Sequence, residues 1–213
     1  MTRSTASRLA EAAQSAVGRL DEYRTFLHSA LLHPREVGAA TPTTSAVAAT
    51  VGQVVPTTGA PVVVELGPGT GSLSDGIHAR LPEGARHVGI ELGGELVEHL
   101  RTRKPWLEVV HGDAGDLSAL LDKLHIDAPD AIISSIPWSL LPPDAQEHTL
   151  RQAAEALPPH GVFTALTYLP AERSAGGRHF RELLESTFDE VLTTTTWRCV
   201  PPILHYICRR PLV

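Results

Sequence analysis

The chain has 213 residues, 42% of them hydrophobic, and its 24 acidic and 18 basic side chains give a net charge of −6. This length can bury one large core without a second domain. The acidic balance argues against a general nucleic-acid binder, which would usually be basic or carry a dense basic patch.

The sequence shows no clear targeting segment, membrane span or metal-binding motif. Residues 1–20 lack an apolar core of signal-peptide length, and no uncharged apolar run approaches twenty residues. The two cysteines, Cys199 and Cys208, show neither metal-ligand nor secreted-scaffold spacing, and the eleven histidines are scattered. We therefore expect a cytoplasmic protein with small buried cysteines and no metal site.

The N-terminal forty residues predict a long helical region. An apolar stripe recurs there at three- and four-residue steps, formed by Leu9, Ala13, Ala16, Leu20, Tyr23 and Leu27. Through residue 35 there are five arginines against three acids. Such a helix could lie on anionic lipid at the inner face of a membrane, or it could pack on its own domain. We predict residues 1–56 as a helical extension or lid and residues 57–213 as the core.

A glycine-rich loop follows the first predicted strand, residues 61–66. That strand is β-branched and carries no polar side chain before Glu65, as expected for a central parallel strand. Gly67, Gly69 and Gly71 suit a backbone that bends sharply beside a ligand, and Ser72 can cap the next helix. The arrangement predicts a cradle for a nucleotide-like ligand, although a nicotinamide-binding loop would also use glycines here.

The pattern Glu-Leu-Gly-x-Gly-x-Gly over residues 65–71 resembles the cofactor loop of class I S-adenosylmethionine-dependent methyltransferases. The resemblance implies S-adenosylmethionine as the cofactor. It also implies that Glu65 helps to hold the methionine end of that cofactor.

Two further acidic residues follow predicted strands. Glu91 ends residues 86–91 and lies twenty positions after Gly71 (91 − 71), where a carboxylate can accept both ribose hydroxyls. Oxidoreductases place an acid at a similar position. Glu91 therefore predicts that the chain binds a ribose, but it does not indicate which reaction the chain catalyses. Asp113, in Val109–Ala114, resembles the third-strand motif whose aspartate takes the adenine amino group; its alternative is a helix cap.

Strands and helices alternate through the core. Predicted strands are 61–66, 86–91, 107–111, 129–134 and 160–167, and predicted helices lie near 72–80, 94–103, 116–124, 143–157 and 176–186. This alternation predicts an α/β fold with a doubly wound parallel sheet. The β-rich runs Glu190–Trp197 and Ile203–Cys208 then predict a C-terminal antiparallel hairpin. Together they give the mostly parallel, seven-stranded, Rossmann-like methyltransferase sheet.

Three segments narrow the resemblance to bacterial phospholipid N-methyltransferases: residues 26–44, the loop 134–142 and the hairpin segment 197–206. Trp197–Tyr206 is similar to that family's Arg-Asn-x-Pro-Pro-x-x-x-x-Tyr pattern, with Cys199 at the asparagine position. Ser135 and Trp138 are further departures. The resemblance implies N-methylation of a phosphatidylethanolamine-type phospholipid head group.

Methylation of an amine first needs an alkylammonium, with a pKa near 10, to lose a proton. The chain has three tyrosines, Tyr23, Tyr168 and Tyr206, in segments that the fold should bring toward the cofactor. We predict these as catalytic residues, since a tyrosine can accept from an ammonium and attract it through cation–π contact. Each could instead be an amphipathic core tyrosine.

Arg198 is the predicted partner for a phosphate or carboxylate of the substrate, because a guanidinium gives a bidentate, permanently charged contact. An exposed strand arginine is its alternative. In the loop after the fourth strand we predict Ser135 as a cofactor contact, and Pro137 and Trp138 as substrate-binding residues. Trp138 would form an aromatic wall beside the methyl group, or would be a buried core tryptophan.

These observations predict a methyltransferase that acts on an amine-bearing lipid or small molecule, without nucleic acid or metal. A soluble secondary-metabolite methyltransferase is the main alternative, because the N-terminal helix is alanine-rich and the acceptor loop departs from the lipid enzymes. An RNA adenine methyltransferase is disfavoured by the acidic charge and by Ser135. A cofactor-binding module without catalysis is the remaining possibility.

Overall fold

A computed structural model describes residues 45–213 of the chain. Seven strands form one sheet: β1 Val62–Leu66, β2 Arg86–Glu91, β3 Glu108–His111, β4 Ala131–Ser134, β5 Val162–Tyr168, β6 Phe188–Thr196 and β7 Ile203–Pro211. The helices are α1 Ser45–Gly52, α2 Ser72–His78, α3 Gly94–Arg103, α4 Leu117–Lys123, α5 Pro143–Ala156, α6 Leu169–Glu172 and α7 Ala175–Thr187, with 3₁₀ turns at Ala114–Asp116 and Trp138–Leu140.

The strand order is β3-β2-β1-β4-β5-β7-β6. The pairs β3–β2, β2–β1, β1–β4 and β4–β5 are parallel, whereas β7 runs antiparallel to both β5 and β6. The predicted sheet with its terminal antiparallel hairpin is therefore confirmed. The strand β5 begins two residues later than predicted, after a turn in which Gly161 N donates to Pro158 O. The short helix α6 and the 3₁₀ turns were not predicted, because they are too short to show a hydrophobic period.

The pleat of the strands divides the core between the two faces of the sheet. Val64 and Leu66 of β1 face one apolar cluster, which also includes Phe163 and Phe180. Val63 faces the other cluster, which contains Ile133. Because both faces are covered, β1 is buried on either side, as its β-branched sequence predicts.

The helix α1 and the turn after it pack on this second face. Val47, Val51 and Val55 are buried there against Val63 and Ile77. The rest of the predicted extension, residues 1–44, lies outside the described residues. No helix within residues 45–213 is long and apolar enough to cross a membrane.

The ends of the parallel strands define the carboxyl edge of the sheet. The glycine loop Gly67–Gly71 follows β1 there, and residues 135–142 follow β4. The tip of the β6–β7 hairpin, Trp197–Pro202, lies at the same edge, because Thr196 and Tyr168 both pair with Ile203. Every predicted site residue in the described part except Tyr206 therefore lies at or beside this edge.

Candidate cofactor and acceptor site

The glycine loop turns through left-handed backbone at Gly67, Gly69 and Gly71, with φ of 71°, 59° and 78°. A Cβ atom added to Gly69 would meet nothing within 4 Å. A Cβ atom on Gly71 would lie 2.9 Å from the Leu100 side chain of α3. Gly69 therefore borders open space that a ligand can enter, whereas Gly71 is required for close packing of the loop on α3.

Glu91 holds the glycine loop against the end of β2. Its Oε2 accepts a hydrogen bond from Gly69 N at 2.9 Å, and its Oε1 accepts one from Gly93 N at 2.9 Å. The residue is 1% exposed. Each carboxylate oxygen has a second lone pair, so a ribose hydroxyl can still donate to Glu91. The ribose role stays a prediction, and the loop-holding role is a contact that the sequence alone did not reveal.

Glu65 lies fully buried beneath the loop. Its Oε2 accepts from Ser74 Oγ at 2.7 Å, and His87 Nε2 lies 3.2 Å from the same oxygen without hydrogen-bond alignment. Its Oε1 has no hydrogen-bond partner among residues 45–213. A buried, unsatisfied carboxylate oxygen is costly, so an added donor at this position would be stabilising. Sequence reasoning missed Ser74 and His87; the available signal was a histidine within the apolar strand β2.

Asp113 caps the 3₁₀ turn Ala114–Asp116, since its Oδ1 accepts from Gly115 N at 2.8 Å. The cap that the sequence left open as an alternative is thus present, and the adenine contact stays a prediction. Gln152 of α5 supports this turn. Its amide donates to Gly115 O, and its Oε1 accepts from Ser118 N at 2.8 Å.

The loop after β4 extends the sheet before it turns away. Ser135 N donates to Leu66 O at 2.9 Å, which places this half-buried residue beside the glycine loop. Pro137 is half-buried and precedes the 3₁₀ turn at Trp138. The Trp138 ring is fully buried, donates through Nε1 to Ser134 Oγ at 2.9 Å and stacks on Phe180 at 4.4 Å. Trp138 thus has the environment of a buried core tryptophan, which is the alternative that the sequence left open.

Gln146 of α5 fixes the same loop, and sequence reasoning missed it. Its buried amide donates to Trp138 O at 2.8 Å and to Leu141 O at 3.1 Å. The signal that could have found it is a polar residue on the apolar face of α5. Gln146 and Gln152 thus support two different loops of the carboxyl edge from one helix.

The tyrosines are not brought together in the described structure. Tyr23 lies outside the described residues. Tyr206 is 1% exposed on the face that carries Phe180, and its hydroxyl has no hydrogen-bond partner among residues 45–213. Burial, with a smaller contribution from the nearby charge of Glu172, raises the pKa of Tyr206 to about 12. The phenol is therefore neutral at physiological pH.

Tyr168, in contrast, ends β5 at the carboxyl edge and is half-buried. The pleat sends its side chain to the opposite face from Tyr206, since Ala165, three residues earlier, pairs with Tyr206. Burial, with a smaller contribution from Cys199, raises the pKa of the Tyr168 phenol. Tyr168 is thus the described tyrosine that reaches the edge where the glycine loop lies.

Arg198 lies on the hairpin tip beside Tyr168. Leu169 N, next to Tyr168, donates to Pro202 O at 2.8 Å and so ties the tip to the end of β5. The Arg198 side chain is exposed and forms no hydrogen bond or ion pair with any residue of 45–213. Cys199 is buried in the second core cluster. This corner therefore offers a half-buried phenol and an uncommitted guanidinium.

Comparison with known proteins identifies the kind of domain. Residues 63–161 match the family model described as Methyltransferase domain. An ornithine lipid N-methyltransferase of Singulisphaera acidiphila is 28% identical over 193 residues, which cover 89% of this chain and 97% of that protein. This likeness covers more of the chain than the domain match does.

Solved structures agree on the fold. The N-methyltransferase NodS from Bradyrhizobium japonicum, in complex with S-adenosyl-L-homocysteine, has a TM-score of 0.62 at 14% identity, over 81% of this chain and 89% of that one. The plantazolicin methyltransferase BpumL, also in complex with S-adenosyl-L-homocysteine, has a TM-score of 0.60 at 13% identity, over 92% and 98%. At these identities the likeness concerns the fold alone.

Proposed function

We propose that this chain, a class I S-adenosylmethionine-dependent methyltransferase, transfers methyl groups to the amine of a lipid head group of the phosphatidylethanolamine type. One observation carries the choice of acceptor: Tyr168 lies at the same corner of the carboxyl edge as Arg198, which has no partner among the described residues. A head group that bears both an amine and an anion matches that pair. The likeness to an ornithine lipid N-methyltransferase over most of the chain supports a lipid acceptor.

The residues of the glycine loop fit the cofactor. Gly69 faces open space. Glu65 has one buried oxygen with no donor in the part of the chain that the structure describes, and the ammonium of an amino-acid end would satisfy it. In this proposal Gly67, Gly69 and Gly71 hold the cofactor along the backbone, with Ser135 beside them. Glu91 accepts from the ribose hydroxyls and Asp113 from the adenine amino group. When bound, S-adenosylmethionine supplies a methyl group that is already activated on sulfur.

The acceptor corner then has two tasks. The ammonium of the acceptor must lose a proton to solvent before its lone pair can react, and in this proposal the neutral Tyr168 Oη then accepts a hydrogen bond from the amine and orients that lone pair. The ring of Tyr168 can also hold the charged amine by cation–π attraction, worth about 0.5–2 kcal/mol. Arg198 positions the head group by a bidentate contact to its phosphate or carboxylate.

The test is transfer of a labelled methyl group from S-adenosylmethionine to phosphatidylethanolamine in mixed detergent micelles. Ornithine lipid and a series of water-soluble amines serve as competing acceptors. Labelling of a lipid amine with kcat/KM well above that of any soluble amine supports the proposal. Labelling of soluble amines alone would overturn it in favour of a small-molecule acceptor. Micelles are used so that this result does not depend on how the protein meets a bilayer.

A further inference from the structure

The hairpin tip carries the two most exposed large apolar side chains within residues 45–213. Trp197 is 71% exposed and Val200 is 80% exposed. A tryptophan buries a large apolar area wherever it finds a partner, so a tip that presents one to solvent is unusual for a surface with no ligand.

Most of the exposed apolar side chains lie beyond one end or the other of the strands, whereas Leu192, which is 46% exposed, lies within β6. Trp197 and Val200 lie at the carboxyl edge, and Leu140, which is 44% exposed, lies in the loop after β4 at that same edge. Leu212 and Val213 follow the far end of β7, where Pro211 pairs with Phe188, and so lie at the opposite edge. The carboxyl edge is the one through which an acceptor must approach the glycine loop.

The chemistry of the tip matches the interface of a bilayer. Tryptophan is enriched at the level of lipid head groups, where its ring is buried and its N–H stays hydrated. Arg198 stands between Trp197 and Val200 and is uncommitted among the described residues, so it can contact lipid phosphate. Pro201 and Pro202 have no N–H group, which lowers the cost of removing this backbone from water.

We propose that the hairpin tip is a membrane-docking element that inserts Trp197 and Val200 into the head-group layer of a bilayer. The proposal rests on the proposed function, because only a lipid acceptor requires the carboxyl edge to face a membrane. In this orientation Tyr168 lies next to the inserted tip, and a head group reaches it without the lipid leaving the bilayer. The occupant of the exposed tip is thus the lipid surface and not another protein.

Fluorescence of the full chain tests the insertion directly. The chain has three tryptophans, Trp106, Trp138 and Trp197, so the emission lost in Trp197→Phe isolates the signal of the tip. Vesicles of phosphatidylethanolamine and phosphatidylglycerol, with lipids brominated near the head group, should shift this emission to the blue and quench it. A Trp197 signal that stays unquenched while the protein floats with the vesicles would place the membrane contact elsewhere and overturn the proposal.

Flotation with the same vesicles measures the contribution of the tip to binding. The double variant Trp197→Ser/Val200→Ser should bind about tenfold more weakly, because it loses the exposed apolar area of the tip. The matched control is Leu212→Ser/Val213→Ser at the opposite edge, which should bind like the wild type. Both variants should keep wild-type activity toward lipid in detergent micelles, which also shows that they fold.

The remaining outcomes separate this inference from the proposed function. Wild-type protein that methylates lipid in micelles but neither floats with vesicles nor shows quenching overturns membrane docking and leaves the acceptor proposal standing. A change in oligomeric state on mutation of Trp197, measured by light scattering, would identify the tip as a protein interface and would also overturn docking. If the wild-type protein does not methylate lipid in micelles, the proposed function itself is overturned.

Discussion

The glycine loop and the hairpin tip lie at the same edge of one sheet, but they are built in opposite ways. Buried carboxylates hold the glycine loop: Glu91 accepts from Gly69 N and Gly93 N, and Glu65 accepts from Ser74. The hairpin tip instead presents an exposed tryptophan and an arginine without a partner among residues 45–213. The glycine loop is held by hydrogen bonds within the protein, whereas the hairpin tip presents exposed groups that, in our proposals, contact the acceptor and the membrane.

This difference predicts where mutations act. Changes to the loop network should weaken the cofactor complex, because the binding backbone loses its support. Changes to the acceptor corner should alter acceptor kinetics while cofactor affinity stays the same.

The largest effect on binding is expected for Glu91→Ala. The change leaves Gly69 N and Gly93 N without their acceptor and removes the proposed ribose partner. Because two charge-assisted hydrogen bonds are lost, we expect the free energy of cofactor binding to weaken by roughly 3 kcal/mol, which raises Kd more than about a hundredfold. Calorimetric titration with S-adenosylmethionine measures it. Glu108→Ala, an exposed carboxylate of β3 paired with Arg86, is the control and should bind normally. Unchanged affinity in Glu91→Ala would reject both roles of Glu91.

The next prediction concerns the pH dependence of folding stability, which we assign to His205 in the strand β7. His205 is buried beside Thr164, and burial lowers its pKa from 6.5 to about 4. Between those values the unfolded chain binds a proton at this site and the folded chain does not. The stability contribution is therefore full above pH 6.5 and is lost as the pH falls toward 4, by about 2–3 kcal/mol.

Urea unfolding at pH 7 and at pH 4.5 measures this loss. The variant His205→Gln cannot titrate, so its stability should fall less than that of the wild type over the same interval. Equal losses in the two proteins would assign the acid sensitivity to other groups.

Two glutamines of α5 sharpen the comparison, since they support different loops. Gln146→Ala removes the side-chain donor to the Trp138 and Leu141 carbonyls, of which Trp138 O keeps its bond from Leu141 N. We expect the free energy of unfolding to fall by about 2 kcal/mol and the acceptor KM to rise. Gln152→Ala releases the Asp113 turn, and its main effect should be on cofactor Kd. Steady-state kinetics beside cofactor titration separates the two. A pair of variants with the same kinetic profile would show that the loops act as one unit.

Arg198→Ala should raise the acceptor KM about tenfold through loss of one charged contact, while cofactor Kd stays the same. Arg210→Ala is the matched control, because Arg210 lies at the other end of β7 and pairs with Asp189. We expect Arg210→Ala to behave like the wild type in both measurements. A parallel loss of cofactor affinity in Arg198→Ala would indicate a folding defect and not an acceptor contact.

The contrast between the glycine loop and the hairpin tip also explains which features could be predicted from the sequence. The glycine loop, the mostly parallel sheet and the terminal hairpin were predictable, because glycine spacing, β-branched strands and an acid after each strand are local signals. The contacts of Glu65 with Ser74 and His87 were not predictable, and neither was the support that Gln146 and Gln152 give from α5, since these residues act across the fold. A single sequence shows such residues only as polar side chains in apolar segments.

The tyrosines show the limit at the acceptor corner. Tyr168 lies on β5 and Tyr206 on the neighbouring strand β7. Only the register between these two strands shows that the two side chains lie on opposite faces of the sheet. A shift of one residue in that register would have placed both on the same face. Sequence patterns fix strand registers less firmly than strand existence, so the constellation of tyrosines could not be predicted.

The smallest effect is expected for Tyr206→Phe. The Tyr206 hydroxyl is buried and has no hydrogen-bond partner among residues 45–213, so its removal should change unfolding free energy by less than about 1 kcal/mol, in the stabilising direction. With a pKa near 12, the phenol is not a base at neutral pH, and kcat should stay close to that of the wild type. Tyr168→Phe, by contrast, should lower kcat while leaving cofactor Kd unchanged. A larger loss of kcat in Tyr206→Phe than in Tyr168→Phe would mean that the acceptor amine enters the face that carries Phe180, and would move the catalytic site away from the corner that Tyr168 shares with Arg198.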